Sequence, residues 1–160
     1  MRSTGLETWR SDLLRYDRYS RSFSQVQLAE HLGFSPETIR KWETGRAAPG
    51  PASYLKICKF FGRDRWHYSP LEEDLRTLHS YRVRNGLRIK DLSAELKLSS
   101  EVVKAVEAAK RNVGERVVRQ WSSLISVTPE LWHSLQSRGC SQRVLAPIPS
   151  SDIISIWQLE

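Results

Sequence analysis

The sequence predicts an all-α protein: two tandem helical modules of about five short helices each, followed by a C-terminal tail. Three observations predict it. Apolar residues recur at helical spacing, and the only stretch with strand-like alternation is "DIISIW", Asp152 to Trp157. Ser and Pro starts with Gly stops cut the pattern into short segments. The third observation is an ungapped self-similarity in which residue n resembles residue n+64. Leu14 pairs with Leu78, Arg18 with Arg82, Leu28 with Leu92, Leu32 with Leu96, Ile39 with Val103, Glu43 with Glu107 and Gly50 with Gly114. A fixed offset of this kind marks two copies of one structural module. It divides the chain at 1–68, 69–138 and 139–160.

In the first copy, "ETWRSDLLRYDRY" (Glu7 to Tyr19) predicts the opening helix. Ser24 caps a helix from Gln25 to His31, and Gly33 permits the turn that follows. Ser35 caps the next helix, Pro36 takes its first position and Gly45 ends it. A fourth helix runs from Pro51 to Phe61. The second copy predicts helices near Pro70–Arg84, Lys90–Leu96, Ser99–Ala109, Gly114–Ile125 and Pro129–Ser137.

Composition bounds the function. Hydrophobic residues make up 39% of the 160 and charged residues 27%, the balance of a globular chain. The net charge of +7 favours a polyanionic partner. It is +5 over residues 1–68, +3 over 69–138 and −1 over 139–160, so the excess centres on the first copy. Two cysteines, Cys58 and Cys140, are too few for a metal cluster, and Cys58 lies in an apolar helical stretch where a buried thiol is expected. No disulfide, metal or cofactor is expected. With no apolar signal region and no run of about 18 apolar residues, the expected place is the cytoplasm, at the nucleoid, with no membrane.

The stretch "FSQVQLAEHLGFSPETIRKWETGR", Phe23 to Arg46, has the outline of a helix-turn-helix. Ser24, Gln25, Leu28, Ala29, Leu32, Gly33, Ile39, Trp42, Glu43, Gly45 and Arg46 follow the pattern of the phage-repressor-like (XRE) family, which this segment resembles. The resemblance covers about residues 8–68 well and 70–137 loosely. It implies two lambda-repressor-like modules, a DNA-binding transcriptional regulator, usually a homodimer on a palindrome, and double-stranded DNA as partner. It also implies that Gln25 clamps a phosphate, that the loop at Arg46 meets the backbone, and that Glu43 pairs with Arg18 as a structural element. Arg82 and Glu107 stand at the corresponding places in the second copy.

A helical wheel of the second helix, at about 100° per residue, turns Ile39, Glu43, Pro36 and Trp42 inward. Glu37, Lys41 and Thr44 face outward, with Arg40 and Thr38 at the flanks. Lys41 suits guanine O6 or N7, Glu37 suits cytosine N4, and Thr38 suits a base or a thymine methyl. Base reading is therefore expected from Glu37, Thr38, Lys41 and Thr44, and phosphate contact from Gln25, Ser35, Arg40 and Arg46. The bland reading of Glu37 and Lys41 is a surface pair at i, i+4.

In the second copy Val102, Ala105 and Ala108 occupy the outward face, Ile89 replaces Gln25 and Ala109 replaces Gly45. That face is expected to dock a protein or to bind DNA weakly. The tail from Gly139 carries Ile153, Ile154, Ile156 and Trp157, so Trp157 joins Val102, Ala105 and Ala108 as a candidate protein interface. An antitoxin-like or adaptor protein is the competing class. His31, His67, His79 and His133 occur singly, with no nucleophile elbow, zinc motif or phosphate loop, so no enzyme is expected.

Overall fold

The computed structural model describes residues 6–141, and among these the chain is all-helical. The elements are α1 (Ser11–Ser20), α2 (Gln25–Leu32), α3 (Pro36–Glu43), α4 (Pro51–Phe61), α5 (Leu78–Arg84), α6 (Ile89–Leu96), α7 (Ser100–Glu107), α8 (Glu115–Ile125) and α9 (Pro129–Ser141). Two cores organise them. Leu14, Leu28, Leu32, Ile39, Trp42, Tyr54, Ile57 and Tyr68 form the first. Leu78, Leu92, Leu96, Val103, Val106, Trp121, Ile125 and Trp132 form the second. Asp152–Trp157, where strand alternation was read, lies outside the described residues.

Capping explains where α2 and α3 begin. Ser24 Oγ accepts from the Gln27 N–H at 3.1 Å while the Gln27 side chain accepts from the Ser24 N–H at 2.8 Å, satisfying two of the orphan donors of a helix start. Ser35 Oγ accepts from the Thr38 N–H at 3.2 Å, with Pro36 at the first helical position. Gly45, at φ +71°, turns the chain after α3, and Ala109 takes the same left-handed turn at φ +55°.

Three expected elements change. The opening helix starts at Ser11 rather than Glu7, because the preceding residues run along the connector between α4 and α5. Arg10 N–H donates to Tyr68 O at 2.8 Å, Thr8 Oγ1 to Pro70 O at 2.6 Å, and Ser69 Oγ to Thr8 O. The helix expected from Pro70 forms only from Leu78, where Thr77 caps it; Glu73–Leu75 is a short 3-10 turn. Arg76 and Thr77 are extended, at ψ 138° and 174°, which separates the two segments.

The first unit consequently has four α-helices, since the connector lies where α9 would fall at −64. Tyr68 is wholly buried there, as Trp132 is in the second unit, so one ring fills the slot without a helix. At the far end α9 continues to Ser141, past the boundary drawn after residue 138.

A β-carbon in left-handed backbone costs about 1–2 kcal/mol, partly offset by glycine's greater unfolded freedom. Ala109→Gly is expected to stabilise the protein by about 0.5–1 kcal/mol in urea titration, and Gly45→Ala to destabilise it.

Candidate nucleic-acid interface

α3 is held from three sides. Ile39 is fully buried and Trp42 nearly so, and Phe34 in the turn packs its ring edge-on to Trp42 at 5.0 Å. Trp9 Nε1 donates to Trp42 O at 2.9 Å, which satisfies a carbonyl of the last turn. Glu43, 3% exposed, accepts from Arg18 Nε at 2.5 Å and Nη2 at 2.9 Å, and from Gln25 Nε2 at 2.8 Å. Arg18 Nη1 donates to Phe23 O at 2.8 Å. One buried carboxylate thereby joins α1, α2 and α3. Pro36 was placed inward by the wheel but is exposed, because at the first turn no element stands over it.

The outward face of α3 is polar. Glu37 forms a two-point ion pair with Arg40, both bonds at 2.8 Å, rather than with Lys41. The Arg40 bond, against a small opposing desolvation, holds the Glu37 carboxyl below its usual range. Thr44 Oγ1 donates back to Arg40 O at 2.8 Å, and Thr38 Oγ1 lies 2.8 Å from Ser35 Oγ. Lys41 and Arg46 are exposed and their side chains make no hydrogen bond or salt bridge; both charges act on Glu37 through space. Gln25 uses one amide proton on Glu43, leaving the other and the free N–H groups at the start of α2 for an outside acceptor. Gln25, Ser35, Thr38, Glu37, Arg40, Lys41, Thr44 and Arg46 therefore share the α2–α3 side of the first unit.

At +64 the geometry recurs with different chemistry. Arg82 Nε donates to Glu107 Oε1 at 2.6 Å and Arg82 Nη1 to Leu87 O at 2.9 Å, the counterparts of Arg18 with Glu43 and with Phe23 O. Lys104 and Glu101 pair at 3.0 Å at the positions where Arg40 and Glu37 pair at 2.8 Å. Between them Val102, Ala105 and Ala108 are half-buried where the first unit carries Thr38, Lys41 and Thr44. Ile89 cannot replace the Gln25 amide. Instead His79 Nδ1 lies 2.9 Å from Arg82 Nη2 and 3.8 Å from Glu107 Oε2. Trp157 lies outside the described residues.

Sequence reasoning missed Trp9, whose indole locks the end of α3, and Arg84, which is wholly buried and bonds Glu7 Oε2 at 2.9 Å and Ser69 O at 2.8 Å. A lone Trp in a charged stretch carries no signal beyond size. Cys58 is buried, and burial pushes its thiol up to about 11, away from nucleophilic reactivity. His67 Nε2 lies 3.6 Å from Asp17, and His31 stacks on Phe23 and Phe60. Among the described residues no group of three or more His, Cys, Asp or Glu side chains is arranged to hold a metal ion, and no helix is long and apolar enough to cross a membrane.

Residues 14–65, about a third of the chain, match the helix-turn-helix family model. That segment is an XRE-like helix-turn-helix, a DNA-binding rather than an enzymatic family. No curated protein and no solved structure matches the chain.

Truncating one partner of a buried ion pair strands the other, at about 3–5 kcal/mol. Glu43→Ala is expected to lower stability by that amount in urea titration, with Ala substitution of the exposed Glu37 costing far less. In the second unit, burial opposes protonation of His79, but the Glu107 carboxylate overcomes it, with Glu7 assisting and Arg82 opposing, so the imidazole pKa is raised. The stability this adds is fully present below the unfolded value of about 6.5 and is lost as pH rises through the folded value. Relative to His79→Gln, the wild type is expected to hold an excess melting temperature at pH 5.5 that shrinks towards pH 8.

Proposed function

We propose that the protein is a sequence-specific transcriptional regulator that represses by occupying an operator, with α3 in the major groove. The observation that carries the reading is the division of α3. Its inner face is tied to α1 and α2 through Glu43, while Lys41 on its outer face has no side-chain partner. A rigid helix presenting an uncommitted cation suits guanine O6 and N7. Thr38 reads beside it. Glu37 is held by Arg40, so it reads a cytosine only when Arg40 turns to a phosphate. Thr44 sits at the C-terminal cap of the helix, and recognition helices contact bases mainly through their N-terminal residues, so it reads least. The second amide proton of Gln25, the start of α3 at Ser35, Arg40 and Arg46 bind phosphates and set the register.

Division into a DNA-binding unit (1–68) and a second helix-turn-helix-like unit (69–138) goes with this reading, as does a homodimer on a palindrome. The half-exposed Val102, Ala105 and Ala108 favour protein contact over base reading for the second unit, since none of the three carries a polar group to a base edge.

Genome-wide binding and footprinting should separate the roles. Lys41→Ala is expected to cost about 1–3 kcal/mol at the specific site while leaving salt-dependent background binding in place. Arg46→Ala is expected to weaken specific and non-specific binding together and to flatten the salt dependence by about one unit of slope. Unchanged site selectivity in Lys41→Ala moves the reading surface away from α3.

A further inference from the structure

Between α4, the connector and α5 lies an open cleft of about 530 Å³, within the range of about 300–1,000 Å³ that holds small ligands. Leu55 and Cys58 of α4 line it, and with the Cys58 thiol neutral this side is apolar. Trp66 and Tyr81 form an aromatic wall, edge to face with centroids 5.0 Å apart. Lys59, Arg63 and Arg65 bring three cations, and Asp64 brings a single carboxylate.

The lining is built before any ligand arrives. Trp66 carries Arg76 at 3.9 Å and Arg84 at 4.4 Å from its ring centroid, and its backbone N–H donates to Asp64 Oδ1 at 2.7 Å. Arg63 is fixed by two bonds to Asp17, at 2.6 and 3.0 Å. Arg65 is fixed by a neutral group instead: its Nη1 donates to Asn85 Oδ1 at 2.6 Å, so the full charge persists. Lys59 is exposed and makes no ion pair or hydrogen bond. Two cations without a carboxylate partner, beside an ordered aromatic wall and an apolar side, select a flat ring bearing a negative group. The Arg65 fork takes a carboxylate or a phosphate, and of the two a carboxylate is flat and can lie in the plane of the ring that Trp66 and Tyr81 receive.

We propose that this cleft is a binding site for a small aromatic carboxylate. α4 belongs to the first core and α5 to the second, so such a ligand touches both units. The proposal is independent of how α3 meets DNA.

The test is calorimetric titration of the full chain with 1-naphthoate, accompanied by amide chemical-shift mapping. Binding is expected with shifts at Leu55, Arg65, Trp66 and Tyr81. Lys59→Gln, which removes an exposed unpartnered charge, is expected to weaken it about tenfold, while Arg10→Gln, at an exposed pair outside the lining, leaves it unchanged. The uncharged 1-naphthalenemethanol is expected to bind at least about tenfold more weakly. Absence of heat and of shifts up to about 1 mM naphthoate overturns the proposal, as does equal binding by the alcohol or by Lys59→Gln. Tighter binding of 1-naphthyl phosphate than of naphthoate overturns the carboxylate assignment.

Discussion

A carboxylate with almost no access to water dictates the geometry of the first unit. The buried carboxylate of Glu43 at the end of α3 accepts from Arg18 of α1 and Gln25 of α2, and Arg18 in turn donates to Phe23 O. Each of these groups belongs to a different element, so α3 cannot rotate about its axis without breaking the set. Apolar burial of Ile39 and Trp42 supplies the free energy but tolerates small rotations. The hydrogen bonds do not, so they fix the angle of α3 more than they add to its stability. Gln25 binds Glu43 with one amide proton while the other stays available to an outside acceptor.

The second unit separates what this network requires from what it permits. The guanidinium and the carboxylate recur as Arg82 and Glu107, and the backbone acceptor recurs as Leu87 O. The third partner does not. Ile89 removes the amide, and His79, one turn back along α5 from Arg82, comes against the pair instead. An uncharged, permanently competent donor is replaced by a group whose charge depends on pH. The Gln25 amide has no counterpart there, and the same unit carries Val102, Ala105 and Ala108 where the first has Thr38, Lys41 and Thr44. The ion pair between Glu101 and Lys104 survives because an exposed i, i+3 pair serves the helix itself.

Much of this was legible in the residues because the governing interactions are local or periodic. Ser24, Ser35 and Pro36 mark helix starts by chemistry acting over three residues, and α2, α3 and α4 fall within a residue or two of their expected bounds. The family resemblance made the Arg18–Glu43 pair legible, and the offset of 64 carried it to Arg82 and Glu107. What escaped was non-local. Nothing near Glu7 announces that residues 6–10 leave helical conformation to lie on the connector, since the bonds that hold them come from Tyr68, Ser69, Pro70 and Arg84. The pairing of Glu37 with Arg40 rather than Lys41 is a choice between two permitted spacings, decided by the planar guanidinium meeting the carboxylate at two points.

Those non-local bonds also explain why the two units do not behave as beads on a string. Arg84 belongs to α5, yet its guanidinium is wholly buried among Ser69 O, Ser80 O and Glu7 Oε2, and it lies against the Trp66 ring. A buried guanidinium stays charged, so its acceptors are obligatory. They come from the stretch before α1, from the connector and from α5. Gly86 tightens the same joint: at φ +77° it takes a left-handed turn after α5, and a β-carbon there would press on the Leu55 side chain of α4. The first unit's missing fifth helix is thus not a defect in the repeat. Replacing it with a connector lets Tyr68 complete the first core while Trp66, two residues earlier, reaches Arg84 and Tyr81 of the second, so one short segment serves both cores. The outward face of α7 is therefore carried on the body that orients α3, and whatever meets Val102, Ala105 and Ala108 meets a surface built onto the helix-turn-helix unit.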